Sequence, residues 1–444
     1  MPAVALAMTL ATLPLLGVSP SITASNYGGW ESTSLTNGLV EVVIVPQIGG
    51  RIMQYKLGDK EFFWVNPDLR GKTSPRNGLG PDGAWLNYGG EKLWPAPQGA
   101  APDGWPGPPD GILDGSPHAL TTYSADGYAA VRLTSLDDPR SGIRFTRSVR
   151  LLPGTTRVSI EATMINIDNK PRRWGIWSVA QQNGVAPTGR GYNNLLSAYC
   201  PTNPRSRYEG GYNVMCGTAT NPTFRADPVT GITRVDYQYK VGKIGLDSVG
   251  GWVAVVDGAT GFCFVERFTP HPDKPYPDNA SVEFWSSGLG KVHETDPTGM
   301  PNDLKLTPYL IESELLGPLA TLAPSESTTF CYTFQACNVG GTYPVVDCND
   351  VGVTCERLAA SGGDHLRLTG RFGVFQPGRL ALRLLDAKAR VRETVDLSQT
   401  ATPLKPVPID VTVDRSGRDV ASAAVVLLDE SGRQIGVLGR VSTR

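Results

Sequence analysis

The sequence predicts an all-β chain, a large antiparallel β-supersandwich followed by a small β-sandwich. Short runs such as "LVEVVIVPQIGGRIMQYKL", "IRFTRSVRLL", "RVSIEATMINI", "GGWVAVVD" and "GFCFVERF" are β-branched or aromatic, often alternate, and end at Gly, Pro, Asn or Asp. No segment combines a sustained helical period with caps. The 51 glycines and 36 prolines supply turns for many short strands.

At 444 residues the chain is long enough for two or three domains. Apolar residues make up 40% and charged residues 19%, a composition with enough apolar surface for large cores. The formal net charge is −1, so there is no basic field to hold a polyanion, and nucleic acid is excluded as an expected partner.

In chain order, Ala3 to Val18 is an uncharged apolar run followed by "SPSITAS", the pattern of an export signal over residues 1–24 with cleavage after Ala24. Its usual positive start is missing, since the first basic residue is Arg51. An exported protein is expected, periplasmic, cell-surface or extracellular, and no further segment is long and apolar enough to span a membrane. Residues 26–340 carry the aromatic-rich strands and form the expected sandwich domain. Residues 341–355 read as a Gly- and Cys-rich connector. Residues 356–444 hold alternating strands with "DRSGRD" and "DESGRQ" turns and almost no aromatics, an accessory sandwich that packs or presents the first.

Seven cysteines fit an oxidising compartment. Cys200 with Cys216, and Cys348 with Cys355, each flank a short turn-rich loop and are expected as disulfides. Cys263, Cys331 and Cys337 are left either as buried thiols or with one further bridge. No spacing makes a zinc site, and neither a metal nor a cofactor is expected.

Four blocks carry a resemblance. "TNGLVEVVIVPQIGGRIMQYKLGDKEFFWVNPD", "LNYGGEKLWP", "INIDNKPRRWGIWSVAQ" and "YLIESELLGPLATLAPSES" occur in the order of corresponding blocks in galactose mutarotase-like, or aldose 1-epimerase-like, domains. The resemblance implies a supersandwich with a shallow cleft for a sugar ring. It also implies a glutamate base that removes the anomeric proton and a histidine acid that protonates the ring oxygen. The glutamate position is Glu312; the histidine position is Trp177, and the histidine of the family's double-glycine loop is Tyr88. An indole hydrogen-bonds and stacks but does not act as an acid.

The segment "WLNYGGEKLWPAPQG" mixes flat aromatics with aimed polar groups, as a neutral-sugar pocket requires. Its glycines allow close backbone approach, Trp85, Tyr88 and Trp94 offer stacking surfaces, and Asn87, Glu91 and Lys92 offer hydroxyl partners. The alternative is that the tryptophans plug the sandwich and Glu91-Lys92 is a surface pair. Further candidates are Arg51 as a planar fork, Gln181 as a hydroxyl ligand, and His118 and His271 in Pro-rich loops. Glu266 and Glu283, alternating with apolar neighbours, are added to them. The acidic loop with Asp103, Asp110 and Asp114 lacks the spacing of a calcium loop and is expected to border the cleft. Two functions remain open. One is a carbohydrate-active enzyme, an epimerase, lyase or hydrolase variant with Glu312 as general base. The other is a non-catalytic binder of mono- or oligosaccharides.

Overall fold

Strands begin where β-branched and aromatic residues alternate and end at glycine-rich turns, and this pattern recurs along nearly the whole chain. The computed structural model describes residues 18–443 apart from 76, 100–104, 126, 294 and 417–418. Among the described residues the ordered elements are β-strands and four single-turn 3-10 segments, and every paired strand runs antiparallel to its neighbour.

Two large sheets form the first body. A twelve-stranded sheet runs from Ser21–Tyr27 at one edge to Asn213–Cys216 at the other, and a ten-stranded sheet runs from Phe224–Asp227 to Ala119–Ala125. Side chains at alternate positions fill the space between them, as sheet-on-sheet packing demands. Tyr55, Phe62 and Phe63 of the first sheet region meet Phe264 and Phe334 of the second, with ring centroids 5.3–6.4 Å apart. Each of these aromatics is buried, and they belong to one large apolar cluster between the sheets.

Two four-stranded sheets follow, one containing Gly352–Ser361 and His365–Val374, the other containing Gly378–Leu385 and Ser422–Leu428. Their core is mainly aliphatic, with Leu368, Leu382, Val425 and Leu427 around the single ring of Phe372, matching the aromatic-poor composition of this stretch. A further apolar cluster joins Trp252, Cys263 and Val265 of the ten-stranded sheet to Val353, Cys355 and Phe375, and the Thr156 amide donates to the Phe375 carbonyl at 2.8 Å.

The first seventeen residues of the expected export signal lie outside the described residues. Ser21–Tyr27 pairs along its whole length with Trp30–Thr36, so Ala24 sits inside an edge strand. None of the described helical segments is long and apolar enough to cross a membrane.

The expected disulfides are absent, and all seven cysteines are free thiols. Cys200 and Cys216 flank a turn-rich loop, but the chain enters that loop from the ten-stranded sheet and leaves it in the twelve-stranded sheet. Closeness in sequence therefore does not bring the sulfurs together. In the hairpin after residue 346, Cys348 is opposite Val353, which leaves Cys355 two residues past the paired position.

Candidate functional site

Strand parity builds the site. Where Glu91–Ala96, Arg172–Asn183 and Leu310–Leu316 run side by side, one set of alternate residues points toward the ten-stranded sheet and the other away from it. The outward set contains Lys92 and Trp94, then Trp177 and Gln181, then Glu312 and Glu314. Val282–Ser286 and Gly242–Leu246 extend this face with Glu283, Trp285 and Lys243.

Glu312 lies cross-strand from Gln181 on one side and from Trp285 on the other. Its Oε1 accepts from the Gln181 amide at 2.7 Å and from Lys92 Nζ at 3.2 Å. Both donors converge on that one oxygen, and no hydrogen bond to Oε2 is made among the described residues. The Glu312 side chain keeps 14% exposure while Lys92 keeps 2%, so the carboxylate is the member of the pair that solvent can reach. Burial pulls the Lys92 ammonium below the usual lysine range, and the Glu312 carboxylate opposes that pull.

A second charged cluster lies beside it. Lys243 Nζ is 2.7 Å from Glu283 Oε2 and 3.0 Å from Glu314 Oε2, and the Trp177 indole N–H donates to the same Glu314 oxygen at 2.8 Å. Glu283 and Glu314 are cross-strand partners, each only 1% exposed. Two buried carboxylates thus share one ammonium, and ionising both would leave an excess negative charge in a dry place. Burial pushes Glu314 up to about 8, against Lys243, which lowers it, and with Glu283 and Glu312 adding to the rise. Lys243 is held above the usual lysine range by the two carboxylates against the effect of its burial.

The tryptophans are arranged differently from what the sequence suggests. Trp94 and Trp177 are buried rather than open platforms, and their faces are occupied by Lys92 at 4.6 Å and Lys243 at 4.5 Å. Trp94 belongs to a stack with Trp105 at 5.1 Å and Trp85 at 6.3 Å. Asp114 fastens this stack by accepting from the indole N–H of Trp94 at 3.0 Å and of Trp85 at 2.8 Å. The aromatic rings with free area near Glu312 are Trp85, 37% exposed, and the half-buried Trp285.

Several sequence candidates lie elsewhere. Arg51 is fully buried and forms an ion pair with Asp114 at 2.6 Å, so it braces the tryptophan loop instead of reaching a ligand. Tyr88 is buried against Trp30, with its ring 5.8 Å from the Arg51 guanidinium. The half-buried Asn87 uses its carbonyl to accept from the Asn66 amide. Gly89 and Gly90 do allow close approach, but to the chain itself: a Cβ at Gly89 would stand 2.2 Å from the Trp64 carbonyl oxygen.

Glu91 and Glu266 point into the sandwich, because each has the inward parity of its strand. Glu91 pairs with Arg147 and accepts from Ser178 and Tyr332 at 2.9 Å each. Among the described residues Glu266 has no hydrogen-bond partner for either oxygen, and burial pushes it up to about 8. His118 rests against Gly50, and burial with Arg147 and Arg51 nearby holds its imidazole neutral, down to about 3. His271 lines a separate surface cavity of about 640 Å³ with Arg207, Asp247 and Lys274. Of the acidic loop, Asp110 accepts from the Trp105 indole at 2.8 Å and pairs with Arg140, whereas Asp103 lies outside the described residues.

Three residues of the site were missed from sequence. Glu314 follows Glu312 by two positions, a same-face spacing that "IESELL" displays openly, and Trp285 follows Glu283 by the same spacing in "VEFW". Lys243, a single lysine in "VGKIGL", carries no such signal.

No protein-family profile matches the chain, and no curated protein is found similar to it. Solved structures are. A galactose mutarotase-like protein from Clostridium acetobutylicum aligns over 72% of this chain and 99% of its own, at 11% identity and a TM-score of 0.44. A galactose mutarotase related enzyme from Lactobacillus acidophilus aligns over 68% and 96%, at 12% identity and a TM-score of 0.43. A TPR-domain containing protein from Parabacteroides distasonis aligns over 74% of this chain at 12% identity and a TM-score of 0.46, and the chain spans only 54% of that protein.

Proposed function

We propose that the outward face around Glu312 binds a sugar ring and transfers protons on it. One observation carries this reading. Glu312 and Glu314 stand two residues apart on one strand and one face, roughly 6.6 Å between α-carbons, in different surroundings: solvent reaches Glu312, whereas Glu314 is buried under Lys243. Lys92 and Gln181 donate to one oxygen of Glu312 and no described residue donates to the other, while burial, with Glu283 beside it, favours a proton on Glu314. A solvent-reached carboxyl group next to a buried one that keeps its proton is an arrangement that can divide into base and acid.

In this reading Glu312 takes the proton of the anomeric hydroxyl, Glu314 gives its proton to the ring oxygen, and the bond from the anomeric carbon to the ring oxygen opens to a carbonyl. Closure on either face returns both protons, so the sum of charges and atoms is unchanged. Trp85 and Trp285 offer apolar faces on which a pyranose stacks. Export directed by the apolar Ala3 to Val18 segment belongs to the same proposal.

A non-catalytic glycan-binding role is favoured by one feature: Glu314 is 1% exposed under Lys243, so its proton reaches a substrate only when that lysine side chain moves. Turnover and calorimetric binding of a monosaccharide panel by wild type and Glu312→Gln separate the two. Catalysis predicts binding retained with turnover lost. Binding by both proteins with no turnover by either overturns the catalytic half.

A further inference from the structure

A second aromatic cluster lies where the strands Leu196–Pro201, Ile232–Asp236 and Leu310–Leu316 begin or end. Tyr192, the neighbours Tyr237 and Tyr239, and Tyr309 come from three stretches of chain and pack together, with ring centroids 4.8–6.3 Å apart. Tyr192 lies nearly parallel to Tyr239 at 5.7 Å and 21°, so one face of its ring is covered, yet the residue remains 37% exposed. An exposed tyrosine already braced from behind presents a flat apolar surface with little freedom left to lose.

The bracing is imposed on the backbone. Tyr239 has φ +53°, a left-handed conformation that a bulky side chain seldom adopts, and its hydroxyl is held by Thr307 at 3.0 Å. Strain of this kind persists where the surroundings over-determine it, and it gathers at ligand sites.

Beside Tyr192 is a cavity of about 510 Å³ lined by Tyr192, Asn194, Arg234, Asp236 and Tyr237. Tyr237 is fully buried, and its hydroxyl has no hydrogen-bond partner among the described residues. Its ring packs edge-on against Tyr192 at 5.6 Å and supports that ring from within. Arg234 Nε donates to Asp236 Oδ1 at 2.8 Å and Arg225 pairs with Asp236 Oδ2 at 3.1 Å, so the carboxylate on the wall is held between two guanidinium groups.

The geometry points to this cavity as a second saccharide site, taking a neutral sugar ring with its C–H face on Tyr192 and its hydroxyls on Arg234, Asp236 and Asn194. The polar wall disfavours a purely apolar ligand. The assignment is independent of the chemistry at Glu312, since no lining residue is shared with that face.

The experiment is calorimetry with maltohexaose, cellohexaose, xylohexaose and a trigalacturonate on a Glu312→Gln/Trp285→Ala background, which disables the first face. At least one neutral hexasaccharide is expected to bind. Adding Tyr192→Ala is expected to weaken it about tenfold or more, and Tyr192→Trp to preserve it. Absence of binding by every neutral probe, an unchanged Kd in Tyr192→Ala, or preference for the trigalacturonate overturns the assignment. Loss of all binding on the background variant assigns it to the Glu312 face and likewise overturns this one.

Discussion

Trp94 and Trp177 stand directly opposite each other on neighbouring strands, their rings 5.5 Å apart at 69°, and each carries a lysine ammonium over its face. The two lysines in turn hold different carboxylates, Lys92 that of Glu312 and Lys243 those of Glu283 and Glu314. Each ring thus lies under a cation, and each cation is paired with an acid of the same face.

If Glu312 is a working base, Glu312→Gln should lower turnover by about two to four orders of magnitude while leaving sugar affinity within about tenfold. Trp285→Ala should do the reverse, weakening binding more than the turnover of bound sugar. Steady-state kinetics beside calorimetry checks both; a Glu312→Gln protein with wild-type turnover removes Glu312 from the chemistry.

The Glu91–Arg147 pair lies inside the sandwich, where a lone charge has no water to fall back on. Arg147→Met should destabilise the fold by about 3–5 kcal/mol, because it strands the Glu91 carboxylate. Glu91→Gln/Arg147→Met should recover part of that loss, since the amide oxygen still accepts from Ser178 and Tyr332. Urea denaturation of the three proteins tests this, and additive losses would show that the charges are not coupled.

Stability should fall as pH rises from about 5 to 8. Glu266 has a folded pKa of about 8 against an ordinary value of 4.5, so the folded protein holds more protons than the unfolded chain between them. The contribution is full below 4.5 and lost as pH rises through 8, with a slope of up to about 1.4 kcal/mol per pH unit; Glu314 acts in the same sense. Glu266→Gln should flatten the dependence of the urea midpoint over this window. Parallel curves for variant and wild type would mean that Glu266 is ionised in the folded protein.

Gly89 has φ +96°, and any Cβ there meets the Trp64 carbonyl. Gly89→Ala should cost about 1–3 kcal/mol from backbone strain alone, with the clash added. Gly83→Ala, at φ +76° with nothing within 4 Å, should show the strain alone. Thermal melts in which Gly83→Ala proves the more damaging would contradict this contact.

Alternation made the all-β class legible, and it also contained more of the site than was taken from it. The same period of two that marks "LIESELL" as a strand puts Glu312 and Glu314 on one face. It also puts Glu91 and Lys92 on opposite faces, although which of the two faces inward depends on the neighbouring sheet. Arg147 is the partner that decides it, 56 residues away on the other layer, and no local pattern announces such a contact. The cysteine pairs show the complementary failure: a short loop suggests closeness, but the loop between Cys200 and Cys216 changes sheets, and the Cys348 hairpin pairs in a register that passes Cys355 by. Trp94 and Trp177 looked like platforms because sequence reports aromatic content without reporting what lies on the ring.

The parity of Leu310–Leu316 makes its coding frame unusually brittle and its outward positions unusually free. Deleting or inserting one residue ahead of Glu312 would exchange the two faces, driving two carboxylates into the aromatic interior and lifting Ile311 and Leu315 onto the surface. Substitution leaves the frame intact. A library varying only 312 and 314 would therefore sample new proton chemistry on an unchanged scaffold, with folding and specificity written in alternate letters of the same seven-residue word.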